Sequence, residues 1–209
     1  MTSGILESLF GSSARTKLLR LFLLNQGMFF DFKEITRRAK ISLVVAKKEL
    51  NLLQKIDFVK NVSQKVENVV SLKNGKVKNN KKTVKGFVLN QFFPYINPLK
   101  TIFVDVTPIS KEKLAKKLST TGKIKLIILS GIFIQDDNSR IDLLLVGDSI
   151  KKGAIDRILK DLESTMGKEL VYAIFTTQDF LYRLGMYDRF VRDVLDYPHE
   201  KIINKLNIE

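Results

Sequence analysis

The chain has 209 residues, 44% of them hydrophobic, and a formal net charge of +14, so it can bury a core and form one or two domains. It has no cysteine and one histidine, which excludes disulfides, thiolate metal sites, cysteine nucleophiles and histidine-based metal clusters. No apolar run approaches the roughly 20 residues that span a bilayer, and the stretch MTSGILESLFGSS lacks the basic start of a signal peptide, so we expect a cytoplasmic protein that does not contact a membrane.

The positive charge is concentrated in the first half of the chain. Residues 1–100 hold 19 Lys and Arg against 6 Asp and Glu, whereas residues 101–209 hold 17 against 16. A generally lysine-rich composition would not explain why only one half is basic. The asymmetry favours a polyanionic partner for the N-terminal half.

The first half begins with two predicted helices. In ARTKLLRLFLLNQ the apolar residues recur at helical spacing. Ser12 or Ser13 can cap this helix, and Gly27 can end it in the left-handed conformation. The second helix, KEITRRAK, follows Asp31, which with Glu34 gives a start similar to a capping box.

A third helix and a hairpin follow. After a turn at Lys40–Ile41, Ser42 can cap a helix that runs to about Lys55. The segment VENVVSLKNGKVKNNKKTVKGFVLN is strand-like, and Asn74–Gly75 in it is a turn signal. Three short helices followed by a hairpin is the element order of a winged helix.

Basic residues cluster on the second helix, the third helix and the hairpin. The candidate nucleic-acid-binding residues are Arg37, Arg38, Ser42, Lys47, Lys48, Lys55, Lys73, Lys76, Lys78, Lys81, Lys82 and Lys85. Lysines at this density fit phosphate contacts, which position a protein on a duplex without reading its sequence. An edge hairpin that uses lysine to block aggregation is the alternative for the hairpin alone.

The stretch from LFGSSARTKLLRLFLLNQ through ISLVVAKKELNLLQKIDFVK resembles the winged helix-turn-helix of the ArsR/MarR-type regulators. Its opening resembles a subgroup in which this module precedes a nucleotidyltransferase-like domain. The resemblance implies that the third helix enters the major groove while the lysine-rich wing grips the adjacent backbone, with dimerisation supplying two half-sites.

This sequence departs from the family pattern in two places. Asp57 stands where the family usually has glycine after the recognition helix, and aspartate can adopt the left-handed region at modest cost. Leu43 and Val44 stand where such helices often carry serine or threonine. Aliphatic side chains can contact a thymine methyl group but cannot hydrogen-bond base edges, so DNA affinity is better supported than sequence specificity.

Three prolines within fifteen residues, Pro94, Pro98 and Pro108, mark a domain boundary. We therefore expect a DNA-binding domain over residues 1–95, a linker over 96–109 and a second domain over 110–209.

Helices and strands alternate in the second domain. The predicted order is helix KEKLAKKLST, strand KIKLIIL, loop 130–139, strand RIDLLLV, a helix over roughly 151–166 that ends at Gly167, and strand ELVYAIF. Helices from Gln178 to about Asp196 and from Pro198 to Leu206 are expected to close the chain. This α/β arrangement is similar to the nucleotidyltransferase superfamily fold.

The resemblance implies a site that this sequence keeps only in part. Such enzymes carry a Gly-Ser turn after one strand, Asp-x-Asp in the next, and a third carboxylate on a later strand, to hold Mg²⁺ against a triphosphate. Gly131 and Asp142 match, but Ile132 replaces the serine and Arg140 the first aspartate. Glu169, near the start of the later strand, is the nearest candidate for the third carboxylate. We expect Arg140 to pair with Asp142, which leaves Mg²⁺ one carboxylate beside a cation. Loop residues Asp136 and Asp137 are poor substitutes for paired strand ligands.

The sequence thus predicts an α+β chain of two domains: a winged helix-turn-helix and a small nucleotidyltransferase-like α/β domain with no catalytic residue, metal or cofactor. The predicted function is a DNA-binding transcriptional regulator whose second domain serves assembly or regulation. Expected partners are double-stranded DNA, a second copy of the chain, and a protein bound by the C-terminal domain. Two alternatives stay open: an active Mg²⁺-dependent nucleotidyltransferase acting on a protein or RNA, and a scaffold whose basic half binds RNA or the ribosome.

Overall fold

The computed structural model describes residues 2–71, 77–103, 110–136 and 138–208, with the backbone alone for residues 2–4, 66–71 and 77–82. The chain divides into two compact units. Residues 7–104 form the N-terminal unit, and residues 1–6 with 105–209 form the α/β unit. The described chain consists of helices and two small sheets, which places it in the predicted α+β class.

Short polar side chains set the start of three helices in the first half of the chain. The described helices of this half are α1 (Thr2–Leu9), α2 (Ser13–Leu24), α3 (Phe32–Ala39), α4 (Leu43–Lys55) and α5 (Ile96–Phe103), and the three with these caps are α2, α3 and α4. The side chains of Ser12, Asp31 and Ser42 each accept a hydrogen bond from the backbone N–H three residues later. These bonds satisfy amide groups that a helix start leaves without intrahelical partners. The predicted capping residues of α3 and α4 are confirmed, and Ser12 rather than Ser13 caps α2.

Left-handed residues shape the connections between these helices. Gly27 has the predicted left-handed conformation, with φ of 79°, but α2 ends earlier than predicted, at Leu24 with Asn25 as its C-cap. Lys40, at the turn between α3 and α4, has φ of 49°. Asp57 after α4 has φ of 59°, which confirms that aspartate reaches the left-handed region here. The Asp57 carbonyl oxygen accepts a hydrogen bond of 2.8 Å from Asn90 Nδ2, which holds this turn against the end of the hairpin.

A three-stranded antiparallel sheet completes the N-terminal unit. Its strands are β1 (Phe30–Asp31), β2 (Val59–Ser71) and β3 (Val77–Leu89), in the order β1-β3-β2. The β2–β3 register runs from Val59 opposite Leu89 to Ser71 opposite Val77. Thirteen residues per strand give the hairpin a length of roughly 43 Å. The predicted turn at Asn74–Gly75 lies outside the described residues.

The core of the N-terminal unit surrounds α2. The predicted apolar stripe of α2 is buried, and the Phe22 ring lies edge to face with Phe30 and Phe58 at centroid distances of 5.6 and 6.5 Å. The range 96–109, predicted as a linker, contains α5, and its residues 104–109 lie outside the described chain. The Phe103 carbonyl oxygen in α5 accepts a hydrogen bond of 3.1 Å from Arg20 Nε in α2. Residues 96–103 therefore pack against the helical core.

The α/β unit is built around a four-stranded sheet. Its elements are α6 (Lys111–Ser119), β4 (Lys123–Leu129), a 3-10 turn (Gly131–Phe133), β5 (Leu143–Asp148), α7 (Lys152–Met166), β6 (Tyr172–Phe175), α8 (Thr177–Gly185), α9 (Arg189–Asp196) and β7 (Glu200–Asn204). The strand order is β6-β5-β4-β7, with β5 and β6 parallel and the other pairs antiparallel. Gly167, with φ of 81°, ends α7 as predicted.

Both faces of this sheet are buried, which explains why its central strands are apolar at successive positions. Leu143 and Leu145 of β5 lie in a hydrophobic cluster with residues of α6 and α7. The alternate residues Leu144 and Val146 lie in a second cluster with residues of α8 and α9. A strand covered by helices on both sides needs apolar residues at every position.

The predicted helix over Pro198–Leu206 is wrong. Residues Glu200–Asn204 form β7, which pairs antiparallel with β4. The backbone groups of these residues hydrogen-bond to the edge of β4, which would otherwise be open. This pairing between distant parts of the chain overrides the local helical pattern. The predicted helix from Gln178 to about Asp196 is interrupted at Tyr187, where φ is 54°.

Within the described part of the chain, no helix has both the length and the apolar character required to cross a membrane.

Candidate functional site

One face of α4 is exposed and basic, and the opposite face is buried. The inward residues Ala46, Leu50 and Leu53 belong to the core. The outward residues recur at intervals of three and four, as one helical face requires: Val44, Lys47, Lys48, Asn51 and Lys55. We call these five residues the outward stripe of α4.

An ion pair between the buried Glu49 and the partly exposed Arg15 fixes the rotation of α4 on the core. Glu49, the one acidic residue of α4, points inward and accepts a hydrogen bond of 2.8 Å from Arg15 Nε in α2. Arg15 Nη1 also donates to the Phe10 carbonyl oxygen at 2.7 Å. Because the pair removes Glu49 from the surface, the exposed side chains of α4 include cations and no carboxylate.

The basic residues of α3 have different surroundings. Arg37 is exposed, with Nη2 3.8 Å from Glu34. The Arg38 side chain is only 12% exposed; its Nε lies 3.1 Å from Glu34, and its guanidinium lies 5.2 Å from the centroid of the Phe30 ring. Arg38 therefore supports the fold of the unit, whereas Arg37, like Lys33, is exposed on the surface of α3.

The structure describes the six hairpin lysines predicted to bind nucleic acid in different detail. Lys85 is exposed on β3, opposite Ser63 of β2. Lys78, Lys81 and Lys82 belong to β3, for which the backbone alone is described at those positions. Lys73 and Lys76 lie outside the described residues.

In the α/β unit, the Asp142 carboxylate joins two backbone segments. Its Oδ1 accepts a hydrogen bond of 2.9 Å from the Ile132 N–H, and its Oδ2 accepts one of 2.8 Å from the Val171 N–H. Asp142 is 7% exposed and directly precedes β5. A Cβ at Gly131, where φ is 54°, would lie 2.2 Å from Asp142 Oδ1. The glycine thus makes room for the carboxylate that ties the turn after β4 to the segment before β6.

The predicted pair between Arg140 and Asp142 is wrong. Arg140 Nη1 instead binds Asp193 of α9, and its guanidinium lies 5.3 Å from the centroid of the Phe190 ring. The prediction assumed that both residues share one face of a strand, but β5 begins at Leu143. Without strand alternation, Asp142 turns inward to backbone N–H groups and Arg140 turns outward to α9.

The remaining carboxylates of the predicted metal site lie elsewhere. Glu169 is exposed and precedes β6 by three positions. Asp136 accepts hydrogen bonds from the Asn138 N–H at 2.9 Å and the Ser139 hydroxyl at 3.1 Å, which order its own loop. Asp137 lies outside the described residues. Among the described residues, no three His, Asp or Glu side chains form a group that could hold a metal ion.

Asp148, at the end of β5, holds the start of α8. Its carboxylate accepts hydrogen bonds from the Thr177 hydroxyl at 2.8 Å and the Thr177 N–H at 3.1 Å. These bonds, and then the charges of Lys125 and Lys123, lower the pKa of the Asp148 carboxyl below its ordinary value. The ionised carboxylate is therefore the form that secures this connection.

A cleft of about 650 Å³ lies near the same end of the sheet, and sequence reasoning did not identify it. Lys152 and Thr176 line it where β5 and β6 end and α7 and α8 begin, and Tyr172 lines it from the start of β6. The signal that could have found it is the parallel β-α-β order, because clefts form outside the carboxyl ends of parallel strands. Asp142 lies at the opposite end of β5 and does not line the cleft, although Tyr172, which does, directly follows the Val171 N–H that donates to its carboxylate.

The outward stripe of α4 also contains Asn51, which the sequence prediction omitted. Its position three residues after Lys48 and four before Lys55 could have revealed it.

In comparisons with protein-family models, curated proteins and solved structures, no match was found.

Proposed function

We propose that the protein is a DNA-binding transcriptional regulator whose N-terminal unit works as a winged helix. The order α2, β1, α3, α4, β2, β3 and the sheet order β1-β3-β2 support this proposal, because they are similar to those of a winged helix. In that arrangement α4 occupies the place of the recognition helix, which enters the major groove.

The outward stripe of α4 is the observation that carries the proposal. Lys47, Lys48 and Lys55 are exposed on it, while Glu49 is turned inward to Arg15. A helix of this kind presents cations to a polyanion without the repulsion that an exposed carboxylate would add. Ammonium groups on either side of the helix axis can bind phosphate oxygens on the two walls of a groove.

The β2–β3 hairpin acts as the wing in this proposal. Its lysines would follow the phosphate backbone beside the groove that α4 enters. The six wing lysines are Lys73, Lys76, Lys78, Lys81, Lys82 and Lys85. Support for this part comes from the sequence, the length of the hairpin and the exposure of Lys85. Contacts of this type add affinity and salt dependence without adding base specificity.

We propose that the α/β unit has a nucleotidyltransferase-like fold used for assembly or regulation. The two oxygens of the Asp142 carboxylate already accept backbone hydrogen bonds, and Arg140 is paired with Asp193. Because Asp142 is also only 7% exposed, its carboxylate offers little access to Mg²⁺, which disfavours nucleotidyl transfer. Self-association through this unit would bring two winged helices to two half-sites.

The proposal is tested by binding of the full chain to labelled duplex DNA, followed by fluorescence anisotropy at low salt. The α4 triple variant, Lys47→Ala with Lys48→Ala and Lys55→Ala, removes three charges from the outward stripe. A matched control removes three exposed lysines from α6 of the α/β unit through Lys113→Ala, Lys116→Ala and Lys117→Ala. Both variants lose the same net charge.

We expect the α4 triple variant to bind duplex DNA about tenfold or more weakly than the wild type, because phosphate contacts are lost. The α6 control should bind nearly as well as the wild type. If the DNA affinity of both variants fell equally, binding would depend on the net charge of the chain alone, and the role assigned to α4 would be overturned. If the wild-type chain bound a structured RNA more tightly than duplex DNA, the partner would be RNA rather than DNA.

A further inference from the structure

The first turn of α4 exposes three consecutive aliphatic side chains. Leu43, Val44 and Val45 are 47%, 78% and 38% exposed. The core contacts of α4 are made by Ala46, Leu50 and other inward residues, so packing does not explain the apolar character of this turn. Neighbouring exposed aliphatic side chains favour a site that is covered when a partner binds.

Charge indicates which partner covers this turn. Val44 belongs to the outward stripe of α4, one helical turn before Lys47 and Lys48. A protein partner with an apolar surface would not pair with the ammonium groups beside these aliphatic side chains. A DNA major groove has phosphates along its walls, which bind ammonium groups, and base edges along its floor. The aliphatic first turn of α4 and the lysines of its outward stripe therefore match the chemistry of the major groove.

The chemistry of the first turn limits what it can recognise. The Ser42 hydroxyl oxygen accepts a hydrogen bond from the Val45 N–H at 3.4 Å as the cap of α4. Side chains of leucine and valine neither donate nor accept hydrogen bonds. The thymine 5-methyl group is the apolar feature that bases expose in the major groove, so it is the group that these side chains can distinguish.

We propose that Leu43, Val44 and Val45 recognise thymine methyl groups in the major groove and give the protein its sequence preference. This inference rests on the proposed binding of duplex DNA through α4. The thymines would lie opposite the first turn of α4, and the lysines of the stripe would hold the phosphates that flank them. Asn51 lies seven residues from Val44, about 10 Å along the helix axis, where its amide can hydrogen-bond an adenine.

The test uses replacement of thymine by deoxyuridine, which removes the methyl group and keeps the pairing and the charge. The wild-type chain first selects duplexes from a random-sequence pool. Each thymine of a selected duplex is then replaced singly by deoxyuridine, and affinity is measured by anisotropy. We expect one or two adjacent positions at which the replacement weakens binding by about fourfold per methyl group.

Two double variants assign the effect to the first turn of α4. Leu43→Ala with Val44→Ala should lose most of the discrimination between the thymine and deoxyuridine duplexes, since only Val45 of the three side chains remains. Leu52→Ala with Ile56→Ala removes two other exposed aliphatic side chains, from the last turn of α4 and from its C-cap, and should keep the wild-type discrimination. All four positions are exposed, so both variants are expected to fold, which thermal unfolding by circular dichroism checks.

The outcomes separate this inference from the function on which it rests. Tight binding with no thymine preference, or discrimination that stays at the wild-type level in the Leu43/Val44 variant, overturns the inference and leaves DNA binding in place. The absence of binding to any duplex at low salt overturns the proposed function itself.

Discussion

Replacing Asp142 by alanine removes a carboxylate that joins two backbone segments of the α/β unit. The Ile132 N–H at 2.9 Å and the Val171 N–H at 2.8 Å both lose their acceptor. Because Asp142 is 7% exposed, water can replace the lost oxygens only in part. We therefore expect Asp142→Ala to destabilise the α/β unit.

The size of the effect follows from the two hydrogen bonds. A hydrogen bond to a charged group contributes about 1.5–3 kcal/mol, and the lower end is appropriate because the freed N–H groups recover some hydration. Two such bonds give a loss of about 3 kcal/mol in the free energy of unfolding. Asp142→Asn keeps one acceptor oxygen and places an amide donor beside the other N–H, so we expect a loss of about 2 kcal/mol.

Urea unfolding followed by tyrosine fluorescence measures this loss. The chain has no tryptophan, and four of its five tyrosines lie in the α/β unit, so the signal reports mainly on that unit. Asp156→Ala, which replaces an exposed aspartate of α7, is the control and should change stability by less than about 0.5 kcal/mol.

A catalytic role for Asp142 leads to a different result. If the carboxylate served Mg²⁺-dependent nucleotidyl transfer, Asp142→Ala would abolish turnover of labelled nucleoside triphosphate and leave stability unchanged or increased. An Asp142→Ala variant as stable as the wild type would refute the structural role assigned to the carboxylate.

Three further substitutions test other contacts. Arg15→Ala leaves the buried Glu49 carboxylate without its cation, so it should destabilise the N-terminal unit by about 3 kcal/mol in urea unfolding followed by circular dichroism, more than Glu49→Ala does. Gly131→Ala should cost roughly 2–4 kcal/mol by the tyrosine signal, because its Cβ would displace the carboxylate and φ is 54°; a cost below about 1 kcal/mol would contradict the close approach. The pKa of Asp148 is lowered in the folded state, so its ionised carboxylate stabilises the fold fully at pH values above the unfolded pKa of about 3.9. This stabilisation is lost as the pH falls through the pKa of the folded state. The stability difference between wild type and Asp148→Asn should therefore shrink from about pH 7 to about pH 3, and a constant difference would be incompatible with the lowered pKa.

Local signals were sufficient for most of the N-terminal unit. Capping side chains, apolar spacing and Gly27 act within one or two turns of the chain, and the structure has the three helices where these signals placed them. The orientation of Arg38 and the pairing of Glu49 were not predictable in the same way. Both depend on residues brought close by folding, namely the Phe30 ring and Arg15.

The candidate metal site shows where sequence spacing fails. Residues two apart share a face only inside a strand, and the backbone at Arg140 and Asp142 precedes β5. Their partners, Asp193 and the Val171 N–H, are 53 and 29 residues away in the chain. The C-terminal strand β7 was missed for a related reason, since it depends on the free edge of β4.

The salt dependence of duplex DNA binding tests the role of α4 most directly. The logarithm of the affinity of the full chain should fall linearly with the logarithm of the salt concentration, with a slope of about −0.9 for each phosphate neutralised. We expect the slope of the α4 triple variant to be shallower by roughly 2–3 and that of the α6 control to match the wild type. An unchanged slope in the α4 triple variant would contradict binding of DNA by the outward stripe of α4.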